Sequence, residues 1–121
     1  MRKTEFEELV RKAVSEIPAD FLQIMHNVDV QVRRQPTKRQ LKGAILDPGE
    51  ILLGLYEGVP VTDRSDYNMI LPDVITVFQL PIEQICNTQR EIQLQVRETV
   101  IHEVAHYFGI TDVELEAWGV A

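Results

Sequence analysis

The sequence predicts an α+β fold in which a small mixed sheet of three to four strands packs against an N-terminal helix and a long later helix. Three observations support this prediction: an amphipathic pattern near the N-terminus, short β-branched segments in the middle, and a long apolar stripe at helical spacing near the end. The chain has 121 residues, 45% of them hydrophobic. We therefore expect residues 1–121 to form a single domain.

The composition excludes several classes of protein. With 19 acidic and 12 basic side chains the net charge is -7, and because such a surface repels phosphate we expect no nucleic-acid partner. A single cysteine, Cys86, excludes an internal disulfide framework and a cysteine-rich zinc site. No run approaches the roughly 20 apolar residues that span a bilayer, and acids interrupt the N-terminal segment early, so we expect a cytoplasmic protein without a membrane partner.

The first element is an amphipathic helix whose apolar residues share one face: Phe6, Leu9, Val10, Ala13, Val14 and Ile17. Thr4 and Glu7 have capping-box spacing, and Pro18 ends the helix. A short helical turn is predicted over residues 19–25. Strict alternation over residues 28–32 then predicts a strand with one exposed face.

A basic segment follows this strand. Residues 33–42 hold five basic side chains and no acid, so the rest of the chain carries -12. Because the segment contains Pro36 and has no apolar periodicity, it is typical of a solvated loop. A docking site for an acidic partner is the alternative interpretation.

Two further strands and the long helix complete the fold. Residues 51–56 have the pattern of a buried strand broken by Gly54, and residues 73–78 have the strongest strand pattern in the chain, with Pro81 at its end opening a short helix. Residues 88–108 are predicted as a helix with a capping box formed by Thr88 and Glu91 and a stop at Gly109. Its buried stripe comprises Ile92, Val96, Val100, Ile101, Val104, Ala105 and Phe108.

The residues that carry chemistry lie at the end of this helix, in an HExxH pattern extended to HExxHxxGxxD. His102 and His106 are one turn apart on the same face, so both imidazoles can bind one metal ion at about 2.0–2.1 Å if that ion is zinc. Glu103 is rotated by about 100° from His102, which allows it to reach a metal-bound water as general base without being a ligand.

A catalytic zinc ion normally has three protein ligands and one open position for water. Gly109 permits a sharp reversal of the chain, after which Asp112 can supply the third ligand. Two alternatives stay open: Asp112 can instead favour the dipole of a short helix capped by Thr111 and Glu114, or Glu114 or Glu116 can replace it as a ligand.

Several of these residues also have purely structural interpretations. His102 and His106 could be hydrogen-bonded core histidines, although the pair beside Glu103 favours a metal site. Cys86 is expected to be a small buried residue. Trp118 is expected to anchor the last turn onto the core.

The run from His102 to Asp112 resembles the extended zinc signature of the metzincin side of the zincin metallopeptidases, in the variant that has Asp in place of a third His. Residues 53–65 and 71–78 extend this resemblance to a small bacterial family of minimal zincin-like metallopeptidases. The resemblance implies a zinc-dependent peptidase, a hydrolase with one zinc ion per chain and peptides or unfolded polypeptides as substrates. By position, His102, His106 and Asp112 would be the metal ligands and Glu103 the catalytic acid/base.

In zincins an edge strand beside the active-site helix pairs with an extended peptide, and residues 74–78 are the candidate here. These 121 residues depart from larger metzincins, because no methionine follows Asp112 to form the usual methionine-bearing turn. We also expect no second domain that walls the cleft. These departures favour the alternative of a catalytically weak or inactive, metal-stabilised module that binds peptides. Five residues could stabilise the oxyanion of the reaction: Tyr56, Tyr67, Tyr107, Arg64 and His26.

Overall fold

The computed structural model describes residues 1–58 and 71–120, and this part of the chain has the α+β architecture that the sequence predicts. Its strands are β1 (Val28–Arg33), β2 (Gly54–Glu57) and β3 (Asp73–Phe78). Its helices are α1 (Lys3–Ser15), α2 (Ala19–Ile24), α3 (Lys38–Gly43), α4 (Gln79–Ile85), α5 (Gln89–Phe108) and α6 (Asp112–Ala117). None of these helices has the length and apolar character that a membrane-spanning helix needs.

The three strands form one mixed sheet in the order β1-β3-β2. β3 is parallel to β1 and antiparallel to β2, with Val28 opposite Asp73 and Gly54 opposite Val77. The expectation that residues 74–78 form the edge strand is therefore wrong, because β3 is central and is hydrogen-bonded on both sides. Its nearly continuous burial is typical of a central strand. The edge strand next to α5 is β2.

The hydrophobic core lies where α1 and α5 pack against each other and where α5 covers β2 and β3. The predicted faces of both helices are confirmed, apart from Phe108, which is 46% exposed. The core cluster combines residues of α1, the sheet and α5, among them Phe6, Leu9, Val10, Ile75, Val77, Val96, Val100 and Val104. Burying each such side chain stabilises the fold by roughly 1.5–3 kcal/mol, so the core holds α5 firmly against the sheet.

The two ends of α5 are as predicted. Thr88 and Glu91 form a reciprocal capping box at the first turn. Gly109 has a φ of 71° and ends the helix in the left-handed conformation, and the Ile110 amide donates to the Ala105 carbonyl at 2.8 Å. This is the helix termination in which glycine avoids the steric cost of a Cβ. The motif therefore begins within a rigid helix and continues past a defined turn.

The termini of α1 and α3 differ from the predictions. Thr4 does not cap α1, because the helix already begins at Lys3 and its N-cap is Arg2, which makes no side-chain cap hydrogen bond. The basic segment is not a simple loop. Thr37 and Gln40 form a capping box, and they start α3 within it. The box stabilises a helix that lacks the apolar periodicity used for prediction.

Three smaller predictions concern the strand over residues 51–56, Trp118 and Cys86. The strand begins only at Gly54 and extends to Glu57. Trp118 does not anchor the C-terminal segment, because it is 43% exposed whereas Leu115 and Val120 are buried. Cys86 is partly buried against the core. Burial, together with the charge of Glu91, raises the pKa of its thiol, which disfavours a nucleophilic role.

Candidate metal centre

The histidine pair lies on the exposed side of α5, above a cleft of about 520 Å³ between this helix and residues 43–55. Both His102 and His106 are exposed, so the interpretation of the pair as core histidines is wrong. Nε2 of His102 is 3.8 Å from a carboxylate oxygen of Glu98, one helical turn earlier. The two imidazoles are therefore accessible to an ion and to a substrate in the cleft.

Asp112 reaches the same region from the other side of the Gly109 turn. It lines a second cleft, of about 290 Å³, together with His102, Glu103 and His106. Asp112 is also the first residue of α6, and its neighbours Thr111 and Glu114 form the predicted capping box. A carboxylate oxygen of Glu114 accepts hydrogen bonds from the amide and the hydroxyl of Thr111 at 3.2 Å and 3.1 Å. Glu114 is thus engaged in capping, whereas Asp112 faces the motif.

The donor set fits zinc by its chemistry, since two imidazoles and one carboxylate are a common ligand set of catalytic zinc. Within residues 1–58 and 71–120, no three His, Cys, Asp or Glu side chains converge closely enough to hold one metal ion. His102, His106 and Asp112 share a cleft but do not form a closed ligand set. All three are exposed, so changing their rotamers requires no repacking of the core. Their assignment as metal ligands stays a prediction.

Glu103 has a different environment from the histidines that flank it. It is half-buried, and burial raises the pKa of its carboxyl above the ordinary value. The charges of His106 and His102 lower this pKa, and the charge of Glu50 raises it. A carboxylate with a raised pKa is a stronger base, as proton abstraction near neutral pH requires.

Gly54 brings the edge strand β2 against α5 at the level of Glu103. A Cβ on Gly54 would lie 2.6 Å from Cγ2 of Thr99, 3.1 Å from the Thr76 carbonyl oxygen and 3.9 Å from Cγ of Glu103. Real Cβ atoms do not approach other atoms at the first of these distances. Only glycine therefore permits this separation of strand and helix, and Glu103, the candidate general base, lies beside the edge strand as a result.

Replacing Gly54 with alanine is expected to destabilise the fold by about 1–3 kcal/mol, because the added methyl group overpacks a buried strand–helix contact. The peptide hydrolysis that the motif predicts should fall as well, since β2 must move away from Glu103. Thermal denaturation and kcat/KM measure the two effects. Gly43→Ala is the matched control, because its Cβ would meet nothing within 4 Å. A Gly54→Ala protein as stable and active as the Gly43→Ala protein would contradict this account.

An aromatic contact joins the end of α5 to β2. The rings of Tyr56 and Tyr107 stack with centroids 4.0 Å apart, and the Tyr56 hydroxyl donates to a carboxylate oxygen of Asp73 at 2.7 Å. Tyr56 is therefore engaged in the sheet. Of the other residues considered for the oxyanion, His26 lines neither cleft. Arg64 and Tyr67, like the polar loop at residues 62–66, lie outside the described residues.

The sequence did not identify the residues that form the wall opposite α5 in the 520 Å³ cleft. Residues 43–46, Glu50 and Ile51 form much of it, and none of them belongs to a recognised motif. Two local signals were present: the Thr37–Gln40 capping box, which positions the segment after α3, and a glycine within a strand, which commonly marks a close backbone approach.

Comparisons with known proteins agree with the fold and the motif. The family model described as zincin-like metallopeptidase matches residues 25–120. A solved structure of a conserved hypothetical protein from Thermo thermophilus is similar, with a TM-score of 0.55 and 23% identity over 89% of this chain and 94% of that one. At this identity the likeness concerns the fold alone. No curated protein matches the chain.

Proposed function

We propose that this chain, which belongs to the family of zincin-like metallopeptidases, is a zinc-dependent peptidase. The observation that carries the proposal is the position of Glu103, a half-buried carboxylate between two exposed histidines, beside an edge strand and a cleft. The proposed zinc ligands are His102, His106 and Asp112. Peptides and unfolded polypeptides are the proposed substrates, and the cytoplasm is the proposed location.

In the proposed mechanism, the bound zinc ion and Glu103 have different roles. Bound zinc would supply a Lewis acid that polarises the scissile carbonyl and lowers the pKa of a water molecule. Glu103 accepts the proton of the attacking water and passes it to the leaving amine. The half-buried position of Glu103 favours both transfers, because its raised pKa brings its proton affinity closer to neutral pH.

Substrate orientation is assigned to β2. This strand lies at the edge of the sheet, and no described strand pairs with its other side. An extended peptide could add to this edge by main-chain hydrogen bonds, which align its backbone with Glu103 independently of its sequence. Edge-strand pairing explains why an unfolded segment would be a better substrate than a folded protein.

The alternative function is a metal-stabilised module that binds peptides without cleaving them. Its specific support is that the three predicted ligands share a cleft without converging on one point. A zinc-loaded preparation distinguishes the two functions when it is incubated with a broad library of quenched-fluorescence peptides. Cleavage that a chelator abolishes and added zinc restores supports the peptidase. Zinc-dependent binding without any cleavage supports the module.

Zinc affinity is expected to fall as the pH drops through about 6, because an imidazole must be neutral to bind a metal and protons compete for it. Zinc binding is favoured above this range and lost below it. Competition titrations with a zinc-specific dye between pH 5 and 8, a range chosen around the pH at which histidine ordinarily titrates, measure the effect. A pH-independent affinity would contradict ligation by the two histidines.

A further inference from the structure

The basic surface consists of Arg33, Arg34, Lys38, Arg39 and Lys42. All five side chains are exposed. In the described part of the chain, none of the five forms a salt bridge. Within the described residues, these five positive charges have no ion-pair partner, and the rest of the chain carries a charge of -12. Such a separation of charge favours a partner of opposite sign.

The basic surface lies across the edge strand from the candidate metal centre. Side chains of a strand alternate between its two faces. Gly54 and Tyr56 face α5, as their approach to Thr99 and Tyr107 demonstrates. Glu57 faces the opposite side, where Nε2 of Gln40 in α3 donates to its carboxylate at 3.1 Å. The β2 edge therefore runs between α5 on one side and α3 on the other.

The 520 Å³ cleft extends from the C-terminal end of α3 to the histidines of the HExxH motif. Gly43 and Ala44, which directly follow Lys42, line the same cleft as His102 and His106. Arg39 and Lys42 lie in α3 within two residues of Gln40. The Gln40 side chain donates to Glu57 on the side of β2 that faces away from α5. A peptide bound along β2 would thus have Arg39 and Lys42 near the side chains that it directs away from α5.

We propose that the basic surface selects substrates with acidic side chains at those alternate positions that face α3. This inference rests on the proposed peptidase function and specifies its substrate class: extended acidic peptides. The preference is positional, because Glu98 lies on the α5 side of the cleft and Glu50 also lines it. Acidic side chains directed toward α5 would meet carboxylates. The same carboxylates and the negative charge on the rest of the chain disfavour a nucleic acid, because it presents a phosphate at every nucleotide.

The test uses the zinc-loaded protein and a set of quenched-fluorescence peptides in which a pair of glutamates, two residues apart, is scanned along a neutral alanine-rich sequence. One register should raise kcat/KM roughly 3- to 10-fold over the neutral peptide at low salt, as expected for a few exposed charge pairs. The adjacent register should lower it. The gain should disappear near 0.5 M salt, where the screening length is only a few ångströms (about 4 Å).

Charge-reversal variants test which residues cause the preference for acidic peptides. In Arg39→Glu/Lys42→Glu the favourable register should lose its advantage over the neutral peptide. Lys3→Glu/Lys12→Glu is the matched control, because it changes the net charge equally on α1, which lines neither the cleft nor the motif. An equal preference in both double variants would overturn the proposal, as would an oligonucleotide that inhibits better than the acidic peptide.

A second readout separates this proposal from the peptidase function. If no peptide is cleaved, the peptidase function fails, and fluorescence anisotropy of the same peptides with zinc-loaded Glu103→Gln still measures charge preference. Tighter binding of the favoured register, lost in the Arg39→Glu/Lys42→Glu background, would then support the acidic selectivity. Equal binding of all peptides would overturn it.

Discussion

Replacing Glu103 with glutamine is expected to lower kcat/KM for peptide hydrolysis by roughly 10²- to 10⁴-fold, the contribution that a positioned general base typically makes. The amide is nearly isosteric with the carboxylate but cannot accept the proton of the attacking water. Zinc content, measured by atomic absorption, should stay at one ion per chain. Stability should be unchanged or higher, because burial penalises the charged form of Glu103.

Glu7→Gln is the matched control for this experiment. It also removes one carboxylate charge, but from α1, which contributes to neither cleft. It should hydrolyse the peptide at the rate of the unmodified protein. Undiminished turnover by zinc-loaded Glu103→Gln would contradict the role of Glu103 as base and move that role to another group.

Removal of zinc should lower the melting temperature markedly. A ligand present at 1,000 times its dissociation constant stabilises the native state by about 4 kcal/mol, which corresponds to roughly 10–20 °C for a chain of this size. The predicted ligands support such coupling because they come from α5 and from the segment after Gly109, which a shared ion would link. Differential scanning calorimetry before and after chelation measures the shift.

The histidines offer an internal comparison for the calorimetry. His102→Ala should melt at the same temperature with and without chelator, because its site no longer holds zinc. His26→Ala should keep the full chelator effect, since His26 lies outside the motif and outside both clefts. A chelator-independent melting temperature in the unmodified protein would exclude a structural contribution from the metal.

Predictions from sequence succeed here where the governing interactions are local. The stripe of α5, its capping box at Thr88 and its stop at Gly109 all follow from residues within a few positions of one another. The α+β class follows from the order of such elements. The placement of His102 and His106 one turn apart belongs to the same group, because it is a property of any helix. Their role as metal ligands stays a prediction.

The incorrect predictions concern features that depend on contacts between distant parts of the chain. The strand signal at residues 73–78 does not reveal that β1 and β2 would flank β3 on both sides, because pairing across dozens of residues leaves no local trace. The prediction that Trp118 packs onto the core likewise rests only on its size. The C-terminal segment instead packs onto the core through Leu115 and Val120. The α3 helix was missed for another reason: its capping box at Thr37 and Gln40 outweighs the charge pattern.

The close contact at Gly54 has a consequence for the folding of the chain. Gly54 and Glu103 are separated by about 50 residues, and all three described strands are synthesised before α5. Contacts of such sequence separation form late, after the loop-closure entropy has been overcome. The motif can exist as a nascent helix, but Glu103 becomes desolvated only when that helix docks on β2. Under the proposed peptidase function, hydrolysis would therefore require completed folding, and unfinished chains would not cleave one another.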